Sequence, residues 1–362
     1  MKYFIGILLF AQILISCNTS TENITVSPNS EALSYMGRTI TLSDSSATEL
    51  CWSGASVEIN FEGQELRASL KNNLRDNYYN VLIDGVMDTI LRIDTLRKEY
   101  ILAKNLPKGK HNIQLFRRTE WTFGKTQFYG FSIKGDAKLL PASAIKKRSI
   151  EFYGNSITAG HGTDDPTEQD RWDSIYSNNY NTYASVTARH FDAQYSCIAR
   201  GGIGIMVSWF NQIMPDLYYR HDPTDSNSKW DFNSNPVDVV VVNLFQNDSW
   251  IVNYPEHEEY KRRFSNNSPD KEYIIKSYAN FVSKIRGHYP DADIVCMLGN
   301  MDVTQEGSLW PGYVKEAVKT LKDDKISSFF MPYKKSKGHP QIADQKRMGE
   351  ALIQHIEETI GW

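Results

Sequence analysis

Apolar and polar positions divide the chain into two regions with different periods. From about residue 31 to 145, apolar and polar side chains alternate, as in SVEINFEG and ELRASLKNN. A period of two is typical of β-strands with one buried face. Asp84-Gly85 lies between two apolar runs and favours a tight type I′ hairpin turn. With turn residues recurring along this region, the pattern predicts a β-sandwich over 31–145.

After residue 146 the predicted strands become continuous apolar runs: RSIEFYG, AQYSCIA, DVVVVNLF, DIVCMLG and ISSFFMPY. Strands that are apolar on both faces are typical of parallel sheets covered by helices. Helical patterns lie between these runs, and a last one repeats apolar residues at Met348, Leu352 and Ile356. Alternating strands and helices predict a doubly wound α/β domain over 146–362.

Residues 1–17, MKYFIGILLFAQILISC, predict a targeting segment, because a positive residue precedes an apolar run too short to span a membrane comfortably. The run ends at Ser16-Cys17, which resembles a bacterial lipobox. We therefore expect a lipid anchor at Cys17, in the bacterial cell envelope, facing the periplasm or the cell surface. Plain secretion with cleavage near Ser16, or an uncleaved anchor, are the alternatives. The polar residues 18–30 predict a flexible tether.

Composition narrows the function classes. A length of 362 residues favours two domains, and 41% hydrophobic with 23% charged residues is ordinary for a soluble globular protein. The net charge of −3 and the lack of a basic, aromatic-interleaved stretch argue against a nucleic-acid partner. Beyond the lipobox, the widely spaced Cys51, Cys197 and Cys296 predict buried, unreactive thiols.

A serine and a histidine are predicted at one edge of the parallel sheet. Ser156 follows the first strand of that sheet, where open α/β sheets place their sites, and Gly154 relieves crowding at the strand exit. His339 follows the last strand, with Pro340 expected at the first position of the last helix. An imidazole beside a hydroxyl can take its proton. A helix N-cap is the alternative role of Ser156. The α/β-hydrolase elbow is excluded, since Thr158 replaces its second glycine.

Acyl transfer also needs donors for a developing oxyanion, and two places at the same edge offer them. The glycines of residues 201–204, GGIG, can expose a backbone N–H, and Asn247 can offer a side-chain amide. Glycines that serve a turn and an asparagine that satisfies loop backbone are the alternatives.

The order of these blocks resembles that of the SGNH hydrolases: GNS at 154–156, GGIG at 201–204, QND at 246–248 and GHP at 338–340. The β region also resembles the N-terminal jelly-roll domain of carbohydrate esterase family 2, in SVEINFEG, YYNVLIDG, GKHNIQLFRRTEW and FYGFSIKGD. The resemblance extends from about Tyr35 to the C-terminus. It implies a jelly-roll sandwich followed by a flavodoxin-like, doubly wound SGNH domain.

The resemblance also implies an activity, the removal of O-acetyl groups from plant polysaccharides such as xylan and glucomannan, often at 6-O positions. Carried over by motif, Ser156 is the nucleophile and His339 the base. The oxyanion hole is formed by the backbone N–H groups of Ser156 and Gly202 and by the side chain of Asn247. An acetylated polysaccharide or oligosaccharide is then the partner, and neither a cofactor nor a metal is expected.

Three positions depart from the broader SGNH pattern. Asn155 replaces an aspartate before the serine, which we expect to preserve the loop hydrogen bonds while removing a charge. Phe245 replaces a glycine and is expected to narrow the site. Ser336 replaces the acid of the DxxH motif. We therefore expect a Ser–His dyad, as the family is implied to include, with a backbone carbonyl or Ser336 holding the imidazole N–H. Asp302 is the alternative acid.

Tryptophans near the same edge are candidate substrate contacts: Trp250 and Trp310 first, with Trp172 and Trp209 as weaker ones. Packing within loops is their alternative role.

Two other functions compete with the esterase. A non-catalytic glycan-binding lipoprotein would explain Phe245 and the missing acid. A lipase or thioesterase would need an apolar groove, which the polar loops of the predicted crevice do not favour.

Overall fold

The computed structural model describes residues 23–167, 169–265 and 267–362. Within these ranges the strands are β1 (Ile24–Val26), β2 (Leu33–Met36), β3 (Thr39–Thr41), β4 (Thr48–Leu50), β5 (Ser56–Glu62), β6 (Glu65–Asn72), β7 (Tyr78–Ile83), β8 (Val86–Arg92), β9 (Lys98–Ala103), β10 (Lys110–Arg117), β11 (Thr126–Lys134), β12 (Lys138–Leu139), β13 (Arg148–Gly154), β14 (Ala193–Ala199), β15 (Val239–Asn243), β16 (Asp293–Leu298) and β17 (Ile326–Phe330). The α-helices are α1 (Ser156–Ala159), α2 (Tyr183–His190), α3 (Met214–Leu217), α4 (Gln246–Ile251), α5 (Glu258–Phe264), α6 (Lys271–His288), α7 (Trp310–Leu321) and α8 (Ile342–Ile360). Short 3₁₀ helices lie at Trp121–Phe123, Ser174–Tyr176, Asn179–Asn181 and Asp302–Thr304.

The N-terminal strands form a sandwich of two antiparallel sheets, which confirms the predicted all-β region. One sheet has the order β3-β4-β11-β6-β9, with β1 added to β11, and the other has the order β12-β5-β10-β7-β8, with β2 added to β5. The alternation that predicted β5 places Val57, Ile59 and Phe61 in the core between the sheets. Asp84 and Gly85 both have positive φ, 52° and 78°, as a type I′ turn between β7 and β8 requires.

The sandwich begins earlier than the sequence pattern predicts. Residues 24–26, assigned to the tether, form β1 and pair with β11 from Ile24–Ile133 to Val26–Phe131. A strand of three residues is too short for its alternation to stand out from a polar segment. The predicted targeting segment with Cys17 lies outside the described residues. Of the helices that the structure describes, none is long and apolar enough to cross a membrane.

The C-terminal domain carries a five-stranded parallel sheet of order β14-β13-β15-β16-β17. This is the flavodoxin-like order 2-1-3-4-5, as expected, and its switch point lies between β13 and β15. Successive valines of β15 enter opposite cores: Val239 and Val241 pack with α2 and α8, and Val240 and Val242 pack with α6 and α7. Burial on both faces explains why this strand is a continuous apolar run.

Buried polar side chains join the two domains. Arg38, which follows β2, pairs with Glu151 of β13 at 3.0 Å, and both side chains are almost fully buried. Arg118, which follows β10, donates to Asp164 at 2.8 Å. The thiols of the C-terminal domain are free and buried, as predicted, and burial raises the pKa of Cys197 to about 12.

Candidate active site

The chain turns sharply where β13 ends, and this turn presents Ser156. A Cβ on Gly154 would lie 2.0 Å from Oγ1 of Thr158, so a glycine is required where α1 folds back on the strand. Asn155 is the N-cap of α1, since its side chain accepts the N–H of Ile157 at 3.0 Å. Asn155 therefore keeps the loop hydrogen bond expected at this position. Ser156 is not the cap, and its hydroxyl is available for another partner.

That partner is His339, whose Nε2 lies 2.8 Å from Oγ of Ser156. The two residues are 183 positions apart and lie at the carboxyl edge of the same sheet, after β13 and β17 respectively. Both are nearly buried, with 6% and 9% of their surface exposed. One local expectation was wrong: α8 begins at Ile342 with Gln341 as its N-cap, so Pro340 precedes the cap instead of opening the helix.

The imidazole is held on its other side by Asp170, not by Ser336 or a backbone carbonyl. Nδ1 of His339 lies 2.8 Å from Oδ1 of Asp170, and the same oxygen accepts the backbone N–H of His339 at 3.1 Å. Burial alone would raise the pKa of Asp170, but the hydrogen bonds and charge of His339 outweigh it and lower the pKa to about 2. The expectation of a dyad is therefore wrong: the geometry is a Ser–His–Asp triad.

Both substitutes proposed from the sequence have other partners. Ser336 accepts hydrogen bonds from Nζ of Lys334 through its carbonyl at 2.8 Å and its hydroxyl at 2.9 Å. Asp302 accepts from the side-chain amide of Gln246 at 2.7 Å and from Nε1 of Trp250 at 2.6 Å. Asp302 thus fixes the first turn of α4 and the indole of Trp250.

Sequence reasoning missed Asp170 because it lies outside every motif, in the long loop between α1 and α2. Its backbone has a φ of +53°, and it packs so closely on Gly338 that a Cβ there would lie 2.8 Å from the Asp170 Cβ. Gln341 ties the loop to α8 by donating to the carbonyl of Asp165 at 2.9 Å. The one available signal was an acid-rich loop leaving the same sheet edge as Ser156.

The predicted oxyanion donors lie around the same cavity. Ser156, Gly202 and Asn247 all line a cavity of about 370 Å³ that also contains His339. In the part of the chain that the structure describes, the backbone N–H groups of Ser156 and Gly202 donate no hydrogen bond. Nε1 of Trp209 can only donate, and it lies 3.1 Å from Oδ1 of Asn247, which fixes the amide orientation. Nδ2 of Asn247 donates one hydrogen to the carbonyl of Ile203 at 2.8 Å, which leaves its second hydrogen.

A buried carboxylate shapes the glycine loop that carries Gly202. Asp248 accepts backbone N–H groups of three successive residues, from 2.7 Å for Met206 to 3.2 Å for Val207. Burial raises the pKa of Asp248 to about 6, against the effect of these hydrogen bonds. Gly204 has no room for a side chain, since a Cβ would lie 2.4 Å from Oδ2 of Asp248. The third block of the motif, QND at 246–248, therefore holds the loop of the second block, GGIG at 201–204, in place.

Tryptophans form the walls of the cavity, but not all the predicted ones. Trp172, Trp209 and Trp250 line it, and Trp172 is 68% exposed. Trp310 is not among the lining residues: its ring packs 5.0 Å from that of Phe245, within the core that includes α6 and α7. Phe245 is fully buried there and does not narrow the cavity, contrary to expectation. The weaker candidates, Trp172 and Trp209, are therefore better placed than Trp310.

Among the described residues, His161, Asp170 and His339 form a group whose ligand atoms lie within 4.8 Å of one another. A cation there would compete with existing bonds, because both ring nitrogens of His339 are engaged, one with Ser156 and one with Asp170. His161 packs 4.7 Å from the His339 ring, and its Nε2 has no hydrogen-bond partner among the described residues. Burial lowers the pKa of His161 to about 3, so its ring is neutral at pH 7.

The chain is similar to known proteins along most of its length. The family profile described as carbohydrate esterase 2 N-terminal matches residues 35–142. Cellulase/esterase CelE of Acetivibrio thermocellus is 31% identical over 91% of this chain, which spans 39% of the length of CelE. An acetylxylan esterase / glucomannan deacetylase of Cellvibrio japonicus is 24% identical, with both chains fully covered.

A solved structure extends the similarity over both domains. The family two carbohydrate esterase from Clostridium thermocellum, determined in complex with cellohexaose, is 31% identical and has a TM-score of 0.81. The alignment covers 91% of this chain and 99% of that one. Because the similarity includes the sandwich, the parallel sheet and the segments between them, the chain belongs to carbohydrate esterase family 2.

Proposed function

We propose that this chain is a carbohydrate O-acetylesterase that works through an acetyl-enzyme on Ser156. The 2.8 Å contact between Oγ of Ser156 and Nε2 of His339, with Asp170 behind the ring, is the observation that carries the proposal. A hydroxyl, a base and an orienting carboxylate in this order can perform acyl transfer. The names of the relatives, acetylxylan esterase and glucomannan deacetylase, support acetylated plant polysaccharides, of the xylan or glucomannan type, as substrates.

The first half-reaction forms the acetyl-enzyme. Oγ of Ser156 attacks the ester carbonyl carbon while Nε2 of His339 takes the hydroxyl proton, and Asp170 stabilises the resulting imidazolium. The negative charge on the former carbonyl oxygen is stabilised by the N–H groups of Ser156 and Gly202 and by the free amide hydrogen of Asn247. When the tetrahedral intermediate collapses, the bond to the sugar oxygen breaks, and that oxygen receives the proton from His339.

The second half-reaction releases acetate. Water attacks the acetyl carbonyl while His339 takes one of its protons, and the same donors stabilise the second oxyanion. Collapse breaks the bond to Oγ of Ser156, which recovers its proton from His339. The cycle restores the starting enzyme without a cofactor.

The cavity walls support a sugar rather than a long acyl chain as the bound group. Indole faces at Trp172, Trp209 and Trp250 offer planar surfaces on which a pyranose ring can stack. The remaining wall is formed by the triad, the proposed oxyanion donors Gly202 and Asn247, and Met301 and Gly338. This arrangement does not favour a lipase or thioesterase, which needs an extended apolar groove. The non-catalytic alternative was based on the missing acid and on Phe245. Neither supports it now, since Asp170 supplies an acid and Phe245 lies in the core.

Acetate release from acetylated xylan and glucomannan tests the proposal. We expect the wild type to release acetate and Ser156→Ala to release less than about one thousandth as much, because the nucleophile is gone. A Ser156→Ala variant that binds the polysaccharide and melts at the wild-type temperature would show that the fold is intact. Equal rates of acetate release in the two proteins would exclude Ser156 as the nucleophile.

We further propose that Cys17 is lipid-modified and that the protein acts in the bacterial cell envelope, on the periplasmic side or at the cell surface. The lipobox-like ending of the targeting segment supports this. Metabolic labelling with a radioactive fatty acid should mark the wild type and not Cys17→Ser. Equal labelling of both proteins would refute the anchor.

A further inference from the structure

Glu120 lies where the β-sandwich reaches the active site. It belongs to the segment after β10 and is therefore not part of the α/β domain that carries Ser156 and His339. Its carboxylate accepts hydrogen bonds from the backbone N–H of Gly201 and from the hydroxyl of Thr122. Gly201 directly precedes Gly202, a proposed oxyanion donor. One domain thus binds the backbone of the other next to the reacting groups.

The sandwich holds Glu120 from behind. The guanidinium of Arg117, the last residue of β10, donates to the carbonyl of Glu120 at 2.9 Å and to that of Thr119 at 2.9 Å. It also donates to the carbonyl of Leu50 at 2.7 Å, and Arg117 itself is fully buried. These bonds fix the backbone of the Glu120 segment to the core of the sandwich. The backbone from which the carboxylate extends is therefore fixed, and the hydroxyl of Thr122 and the N–H of Gly201 hold the carboxylate itself.

Gly201 lies between this carboxylate and the nucleophile. A Cβ on Gly201 would lie 3.5 Å from Oε2 of Glu120 and 3.7 Å from the Cβ of Ser156. On the far side, the carbonyl of Gly202 accepts the N–H of Trp209 at 3.1 Å. The two glycines are thus held at both ends, with Gly202 at a φ of +80°. The glycine backbone is less restricted than that of other residues, so the direction of the Gly202 N–H depends on these hydrogen bonds.

We propose that Glu120 is a positioning residue for the oxyanion hole, which makes the β-sandwich a working part of the esterase. The inference rests on the proposed function. Without the carboxylate, the N–H of Gly201 loses its acceptor and the N–H of Gly202 is free to turn away from the developing oxyanion. Loss of a whole oxyanion donor costs about 100- to 1,000-fold in kcat. A misdirected donor retains part of this effect, so we expect a loss of about 10- to 100-fold.

Hydrolysis of p-nitrophenyl acetate tests the inference, because this substrate carries the acetyl ester but no sugar to bind to the tryptophan walls. Glu120→Ala should lower kcat by about 10- to 100-fold and change KM by less than about 3-fold, since the donor acts mainly in the transition state. Glu120→Gln should stay within about 3-fold of the wild type, because its oxygen can accept from Gly201 while its amide donates to Thr122. Affinity for a boronic acid that forms a tetrahedral adduct should fall in parallel with kcat.

Lys125→Gln is the matched control. Lys125 also joins the sandwich to the α/β domain, through Asp222 at 2.8 Å, but it does not contact the Gly201 loop. We expect this variant to change the melting temperature without lowering kcat. If kcat falls no further in Glu120→Ala than in Lys125→Gln, the inference is wrong. If Glu120→Ala does not fold, Glu120→Asp decides, since the shorter side chain keeps the charge but withdraws the carboxylate from the N–H of Gly201: an unchanged kcat and boronic-acid affinity would overturn the inference.

These outcomes are separate from failure of the proposed function. A wild type that hydrolyses neither p-nitrophenyl acetate nor acetylated polysaccharide would refute the esterase itself. A wild type that is active, with Glu120→Ala equal to the control, would refute only the role of Glu120.

Discussion

At the scale of single residues, one carboxylate decides how the proposed base is held. Asp170 receives both the ring Nδ1–H and the backbone N–H of His339, so it fixes the position and the tautomer of the imidazole together. Nε2 is then the nitrogen without a proton, and it can accept the hydroxyl proton of Ser156. In the DxxH motif the acid would be residue 336, which is a serine here. Asp170, from a different loop, takes over the orientation of the imidazole.

Replacing Asp170 should therefore affect catalysis more than substrate binding. We expect Asp170→Asn to lower kcat roughly 100- to 10,000-fold, because the amide stabilises no imidazolium and can favour the wrong tautomer. KM for p-nitrophenyl acetate should change little. Steady-state kinetics at pH 7 and 8 would measure both effects.

Ser336→Ala is the control for this prediction. Ser336 holds the position of the motif acid but bonds to Lys334 instead of His339. Its kcat should equal that of the wild type. A large loss of kcat in Ser336→Ala together with a small one in Asp170→Asn would show that residue 336, and not Asp170, orients the imidazole.

At the scale of elements, the start of α4 shows how a departure from the motif is accommodated. Phe245 adopts a φ of +84°, which suits the glycine that usually stands there. Its ring lies 4.8 Å from that of Tyr278 on α6 and 5.0 Å from that of Trp310 on α7. Burial of a large ring between two helices outweighs the backbone strain, and the active-site side of the turn keeps its shape.

We expect Phe245→Gly to destabilise the fold by about 2–4 kcal/mol, since loss of the ring costs about 3–5 kcal/mol and relief of strain returns about 1 kcal/mol. Urea unfolding would measure this difference. Phe245→Leu, which keeps a buried apolar side chain, should lose less than half as much. KM should be unchanged in both variants. A strong change in KM with unchanged stability would place the ring in the cavity and contradict the structure.

At the scale of the whole molecule, the active site is assembled between two domains. Arg118 of the sandwich donates to Asp164 and to the carbonyls of Ile175 and Ser177, so it anchors the loop that carries Asp170. Glu120 anchors the oxyanion loop on the other side of Ser156. The sandwich thus contacts both loops that flank the nucleophile.

The stability of the whole chain should depend on pH through His161. Its pKa is about 3 in the folded chain, because burial and the neighbouring His339 disfavour the cation, whereas an unfolded histidine titrates near 6.5. The folded state is therefore fully stable with respect to this group above pH 6.5 and loses stability as the pH falls toward 3. The loss from pH 7 to 4.5 should be on the order of 2 kcal/mol.

His161→Phe removes this titration while keeping an aromatic ring beside Trp172 and His339. Unfolding by urea at pH 7 and 4.5 should show a smaller loss of stability in the variant than in the wild type. The lower limit of pH 4.5 avoids the titration of Asp170, whose contribution is lost only below about pH 4. An equal loss in the two proteins would show that His161 is not the titrating group.

The sequence by itself determined the architecture and the two residues proposed to react. A period of two indicates a strand buried on one face, and a continuous apolar run indicates one buried on both faces. Both patterns involve only residues close together in the sequence, so the sequence alone reveals them. Ser156, Gly202, Asn247 and His339 lie where strands of the parallel sheet end, and parallel strands bring their carboxyl ends to one edge. Their proximity follows from topology alone.

Only the tertiary structure decided which side chains complete the site. Asp170 and Trp172 lie in an irregular loop whose path depends on contacts with Gly338, Gln341 and the sandwich, and no local pattern encodes such a path. Trp310 and Trp250 look alike in sequence, yet one packs between helices and the other lines the cavity. Orientation of a side chain outside regular structure is set by its neighbours in space, and those neighbours are distant in the chain.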